Sequence, residues 1–250
     1  MRHASGLYGR LCLAYRGFPV HQTVTGITVV TAIHDIALIA CKRIGAFINF
    51  SLRNGADMKV VAFNGSARRG GNTAILLGYT LSELKKEGIE TELVELAGAE
   101  IHGCLACRRC STRKNRRCSQ ENDMGNVCIE KMDAADGILL GSPTYVADVS
   151  PEIKALMDRA CLVSKANSGM FRHKVGAGVV AVRRAGAIHA FDALNHFFLI
   201  SEMIVPGSSY WNIGIGWEPG DVEKDEEGIR TMTVLGQNMA WILKKLHAPS

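Results

Sequence analysis

Four cysteines fall within fifteen residues, spaced Cys104-x2-Cys107-x2-Cys110-x7-Cys118, and six basic side chains are interleaved with them: Arg108, Arg109, Arg113, Lys114, Arg116 and Arg117. Thiols at this density form disulfides, bind zinc or carry an iron–sulfur cluster, and the cations could serve a nucleic acid. Three thiols two residues apart lie on one tight turn, and a fourth returning after a flexible excursion lets a compact chain surround a cubic cluster. Two CxxC-like pairs could also close a tetrahedral zinc site, although structural zinc loops usually set their pairs further apart. A thiolate-bound cluster is anionic, so the six cations would neutralise it and raise its reduction potential. They could equally dock an acidic electron-transfer protein. Nucleic acid is disfavoured, because no aromatic side chains alternate with the cations for base stacking. His102 reads as a solvent-facing loop histidine.

A second stretch, Asn64-Gly-Ser-Ala-Arg-Arg-Gly-Gly-Asn-Thr73, has the chemistry of an anion site. Ser66, Asn72 and Thr73 offer side-chain donors, Arg68 adds a full charge, and the glycines let backbone N–H groups approach a phosphate at the start of a helix. Two rival phosphate loops fail on register. A nucleoside-triphosphate loop would need a lysine where Gly71 stands and a hydroxyl where Asn72 stands. A dinucleotide fingerprint would need its second glycine at Ala67. A phosphomonoester is the remaining fit.

The elements that must carry these stretches follow from hydropathy. β-rich runs at 59–64, 91–96, 137–142, 175–182 and 210–215 alternate with segments of helical period, the pattern of a five-stranded parallel sheet covered on both faces by helices. Ala74, Leu77, Leu81 and Leu84 form one buried stripe ended by Lys85-Lys86 and Gly88. Ser150 and Pro151 open a helix that buries Ile153, Leu156, Met157, Ala160 and Cys161. Met232, Leu235, Met239, Ile242 and Leu246 line the last helix, which ends in Lys244-Lys245, and the acidic run 221–227 reads as a solvated loop leading into it. Cys128 and Cys161 occupy apolar helical positions and read as core.

Composition bounds the rest. Hydrophobic residues make up 47% of the 250 and charged residues 21%, which excludes disorder across the whole chain. Six of the 29 Lys/Arg and two of the 24 Asp/Glu precede Met58, so residues 58–250 carry 23 against 22 and are nearly neutral. The net charge of +5 is therefore poor support for a nucleic-acid partner. Residues 1–57 are expected to be an extension upstream of a domain that opens at Met58, with a peripheral anchor as the alternative. Their apolar run, Val24 to Cys41, carries His34 and Asp35 at its centre, which is costly in a bilayer. No secretory signal is legible there, so a reducing cytoplasm is expected and disulfides are not.

GSARRGGNT after the first strand, SPTYVADVSPEIKALMDR (142–159) after the third and VRRAGAIHAFDALNHFF (182–198) after the fourth resemble the flavodoxin-like NADPH-dependent FMN reductase family. The cysteine loop resembles that of its iron–sulfur flavoprotein branch. The resemblance spans residues 58 to 246. It implies that Ser66, Arg68, Asn72 and Thr73 hold the FMN phosphate, that Ser142, Pro143, Thr144, Tyr145 and Val146 run along the isoalloxazine, and that Arg183, Arg184 and Gly186 border it. It further implies a 4Fe-4S cluster on Cys104, Cys107, Cys110 and Cys118, and a homodimer or homotetramer. NAD(P)H is the expected donor, with a small molecule or a ferredoxin-like protein as partner. No Ser-His-Asp, HExxH or paired-carboxylate arrangement is visible, in keeping with chemistry carried by a cofactor. The expected function is an FMN-dependent oxidoreductase or electron-transfer flavoprotein. A cluster-free NAD(P)H-dependent FMN or quinone reductase, with the cysteine loop free or zinc-bound, and a non-catalytic flavin-binding module are the alternatives.

Overall fold

Five runs of aliphatic residues pair into one parallel sheet in a computed structural model that describes residues 58–248; the readings made above for residues 1–57 lie outside the described residues. The strands are β1 (Lys59–Asn64), β2 (Glu90–Glu95), β3 (Gly137–Pro143), β4 (Val175–Val182) and β5 (Ile213–Ile215), in spatial order 2-1-3-4-5. The helices are α1 (Asn72–Lys86), a short α2 (Arg109–Arg113), α3 (Gly125–Ala134), α4 (Pro151–Ala166), α5 (Ala187–Ile200) and α6 (Glu226–Leu246), with a 3-10 turn at Asp221–Lys224. The order reverses at β1, whose neighbours are β2 on one side and β3 on the other, so a crevice opens beyond the ends of β1 and β3.

Side-chain alternation along the strands divides the core into two layers. Val60, Ala62 and Leu139 face one side with Leu77, Leu81 and Leu84 of α1 and Leu235 and Met239 of α6. Val61, Phe63, Ile138 and Leu140 face the other with Ile129 of α3, Leu156 of α4 and Leu194 and Phe198 of α5. The central strands β3 and β4 are buried almost throughout, whereas β2 is an edge strand. Its outward Glu90 and Glu92 meet Lys59 at 2.9 and 3.0 Å, charge that discourages further pairing.

Three expectations change at this level. β5 is shorter than the run 210–215, because Ile213 N–H turns back on Trp211 C=O at 2.7 Å and leaves Tyr210 and Trp211 outside the ladder. Leu246 and Cys161 sit at the edges of their buried stripes, exposed and half-buried respectively. The acidic run is structural, since Asp225 caps α6 by accepting from Gly228 N–H at 3.0 Å and also accepts from Ile215 N–H at 2.7 Å. No helix among the described residues is long and apolar enough to cross a membrane.

Candidate functional site

The loop after β1 is held from both sides. Gly65 N–H donates to Gly141 C=O of β3 at 2.8 Å, and a Cβ at Gly65 would run into Ile153 and lie 2.7 Å from Ser150 Oγ, so only glycine lets the loop pass α4. Ser66 is buried, its N–H donating to Asn64 Oδ1 and its Oγ accepting from Arg68 N–H, both at 3.1 Å. Helix α1 then begins at Gly71 with no side-chain cap and no acid in its first turn, whereas α4 is capped by Ser150 and α6 by Asp225. The N–H groups and positive dipole end of α1 are left for an anion. Thr73 is buried beside this terminus.

Arg68 and Asn72 have further partners that the sequence did not disclose. Arg68 Nη1 donates to Trp217 C=O at 3.2 Å; Asn72 donates to Glu218 C=O at 2.9 Å and accepts from Gly220 N–H at 2.8 Å. Both side chains thus hold the segment after β5 against the β1 loop. Trp217 in turn lies under the Arg183 guanidinium, 4.5 Å from its ring centroid. The loops after β1, β4 and β5 form one connected wall. A tryptophan in a Gly-rich turn near two arginine loops was the available signal for it.

Beside that wall is a cavity of about 280 Å³ lined by Thr144, Val182, Arg183, Arg184 and Ala185. Thr144 Oγ1 is buried and has no hydrogen-bond partner among the described residues. Ser142 is directed inward: its hydroxyl donates to Pro143 C=O at 2.7 Å and accepts from Ser150 N–H at 2.8 Å, tying β3 to α4. Pro143 is half-buried behind it. Tyr145 and Asp148 exchange backbone hydrogen bonds at 2.9 and 3.0 Å around a two-residue turn in which Val146 and Ala147 both have positive φ, 50° and 61°. Val146 is fully exposed at its tip. Gly186, at φ 85°, packs against Ala147 and opens α5.

The cysteine loop leaves the same carboxyl end of the sheet after β2, and Arg69 Nη2 joins the two regions by donating to Ala97 C=O at 3.0 Å. Cys104, Cys107, Cys110 and Cys118 all line a second cavity of about 210 Å³, walled also by Leu105, Leu162 and Arg159. Among the described residues no group of three or more His, Cys, Asp or Glu is placed to hold a metal ion. All the described cysteines are free thiols. Ala106, Arg108, Lys114 and Arg116 have positive φ, so the loop winds tightly with non-glycine residues. Buried Asn126 fixes the fourth cysteine, accepting from Cys118 N–H at 2.7 Å and donating to Cys118 C=O at 3.0 Å. The Ser119 hydroxyl and Arg109 N–H lower the pKa of exposed Cys107, while burial pushes Cys128 up to about 12.

The cations are distributed differently from the expectation. Arg113 pairs with Glu121, and Arg116 and Arg117 pair with Asp133 and Glu130 of α3. Arg108 lines the cavity, and so does Arg159 of α4, 1% exposed and ion-paired to buried Asp123. Arg159 also donates to His102 C=O at 3.3 Å and Gln120 C=O at 3.0 Å. His102 itself is solvent-facing, with Nδ1 3.2 Å from Asp123 Oδ2. Burial disfavours both charges, but the ion pair and the N–H groups of His102 and Gly125 outweigh it and hold the Asp123 carboxyl at about 2. The guanidinium is correspondingly held above its ordinary pKa.

A 2-1-3-4-5 parallel sheet, with an uncapped helix terminus after β1 and a polar cavity beyond the ends of β3 and β4, defines a flavodoxin-like protein. Solved structures share that fold: RosB with bound 8-demethyl-8-formylriboflavin-5'-phosphate (TM-score 0.60, 17% identical, covering 77% of this chain and 82% of that one) and a WrbA-like flavodoxin of Agrobacterium tumefaciens (TM-score 0.51, 15% identical, 76% and 98%). The sequence profile of the NADPH-dependent FMN reductases matches residues 58–218. An iron-sulfur flavoprotein of Methanocaldococcus jannaschii is 37% identical over 194 residues, covering 75% of this chain and 98% of the relative; one of Methanosarcina thermophila is 32% identical over 189 residues, covering 75% and 96%. The chain belongs to the NADPH-dependent FMN reductase family, in its iron–sulfur flavoprotein branch, and is an FMN-dependent oxidoreductase.

Proposed function

We propose that this chain passes electrons between FMN, held at the ends of β1, β3 and β4, and a 4Fe-4S cluster held by Cys104, Cys107, Cys110 and Cys118. One observation carries the reading: the cavity with the unpartnered Thr144 hydroxyl and the cavity lined by four cysteines are built by loops leaving the carboxyl end of one parallel sheet. FMN can take up a pair of electrons from a hydride donor and release them one at a time, and an iron–sulfur cluster exchanges them singly, so the two together would join hydride donors to one-electron carriers.

Ser66, Thr73 and the free N–H groups of α1 bind the phosphate; Arg68 and Asn72 contribute by bracing the 216–220 segment beside it. Thr144, Arg183 and Arg184 line the ring cavity, Tyr145, Val146 and Gly186 belong to the adjoining turns, and Ser142 and Pro143 set the loop's position. For the thiol cavity, a soft donor set without carboxylates suits iron–sulfur or zinc. A single zinc would need all four sulfurs about 2.3 Å from one point. Four cysteines lining one cavity of about 210 Å³ leave room for the larger cluster. NAD(P)H and a ferredoxin-like protein are the donor and acceptor classes that fit this pairing. The folded unit is residues 58–250, in a homodimer or homotetramer in the cytoplasm, with residues 1–57 outside it.

Protein purified without oxygen tests the reading. Flavin bands together with a broad visible shoulder that bleaches with dithionite, and iron matched by acid-labile sulfide, are expected. Cys107→Ala should lose the iron and keep the flavin. Flavin without iron would return the chain to a cluster-free reductase. A colourless protein would leave only a binding module.

A further inference from the structure

Arg159 is the one fully buried cation at the thiol cavity, and its surroundings go beyond what an ion pair needs. It lies on α4 at the phase of the buried stripe, between Leu156 and Val163, where arginine is found only when paired. Its fork binds both ends of the cysteine loop at once, taking His102 C=O before the first cysteine and Gln120 C=O and Asp123 after the last. Gly125 carries no Cβ where the guanidinium lies, so the chain yields space to it. Its Nε–H is buried without a partner among the described residues, on a side chain that walls the cavity.

We propose that Arg159 is the positioning residue of the cluster: a permanent buried cation that clasps the two ends of the cysteine loop and sets the cluster's reduction potential through its charge at the cavity wall. This rests on the cluster reading above. A guanidinium stays protonated at any working pH, so its contribution is a fixed field. Adding an electron to an anionic cluster is favoured by a nearby cation and disfavoured when that cation is removed. Asp123, on the other side of the same guanidinium, partly cancels that field. The two residues therefore act with opposite sign, which a packing role would not produce.

The experiment is spectroelectrochemistry of the cluster, with iron and sulfide counted, in the full-length wild type and in Arg159→Gln, Arg159→Lys and Asp123→Asn. Arg159→Gln should lower the reduced-to-oxidised ratio at fixed potential about tenfold, equivalent to ~59 mV for one electron. Asp123→Asn should move it the other way. Arg159→Lys should restore the ratio to near the wild-type value, because the charge returns, while losing iron faster because the fork does not. If Arg159→Gln fails to fold, the other two decide: a fall in Asp123→Asn, or a ratio lowered tenfold in Arg159→Lys, overturns the proposal. Unchanged potentials in Arg159→Gln and Asp123→Asn overturn it as well. A wild type without iron overturns the cluster reading and this proposal together. A wild type with its cluster whose potential ignores these variants overturns this proposal alone.

Discussion

The flavin-side loops and the cysteine loop leave the same end of the sheet but are held by opposite means. The β1 loop is short and tied to the neighbouring strand through Gly65 N–H and Gly141 C=O, and the turn after β3 closes on itself between Tyr145 and Asp148. The cysteine loop is a long excursion whose ends are gathered by side chains from far along the chain, Arg159 and Asn167. The first site is specified by the sheet and by local turn chemistry, the second by a few buried polar contacts. Damage should therefore spread differently in the two.

The largest effect is expected where one contact holds the most chain. Arg159→Ala leaves Asp123 buried without its cation and frees both ends of the cysteine loop. A loss of about 3–5 kcal/mol in chemical denaturation is expected. A loss below about 1 kcal/mol would mean that the loop holds itself. Acid probes the same clasp. The Asp123 carboxyl titrates at about 2 in the folded chain against an ordinary 3.8, so its stabilisation is present above about pH 4 and disappears as pH falls through about 2. The shift corresponds to about 2 kcal/mol, and the group is buried, so solvent screening removes little of it. Unfolding midpoints followed down to about pH 2 should fall more steeply in the wild type than in Asp123→Asn.

That contrast also governs what could be read from the sequence. The sheet, the start of α1 at Asn72 and the Ser150 cap were legible because each depends on neighbours within a few residues. So was the grouping of the four cysteines, since a short spacing forces proximity. Arg159, Asp123 and Asn126 were not, although Arg159 stands in phase with the buried stripe of α4 and could have been questioned on that ground. The bracing of Trp217 by Arg68 was hidden for the same reason, as 149 residues separate the partners. Spacing reports what is local, and the second region is built from what is not.

On the flavin side the expected losses are smaller. A methyl group added at Gly65 would press into Ile153 and Ser150 Oγ, lifting the β1 loop from α4. Gly65→Ala should cost about 1–3 kcal/mol by thermal or chemical denaturation and weaken FMN binding with it. If stability falls and flavin affinity is untouched, the anion site is not formed by this loop.

The smallest effect has the opposite sign. Val146 sits at φ 50° on the tip of a turn where a β-branched side chain is strained by roughly 1–2 kcal/mol, and it buries nothing there. Glycine suits both central positions of such a turn. Val146→Gly should therefore raise the stability of the flavin-free protein by up to about 1 kcal/mol, the relieved strain being partly offset by glycine's greater freedom in the unfolded chain. Strain of this kind persists where surrounding structure holds it for a purpose, and here the purpose is a stiff turn beside the ring cavity. The same variant should bind FMN more weakly by fluorescence titration, since the turn must then be ordered by the ligand. Unchanged affinity would show that the turn's rigidity serves something other than the flavin.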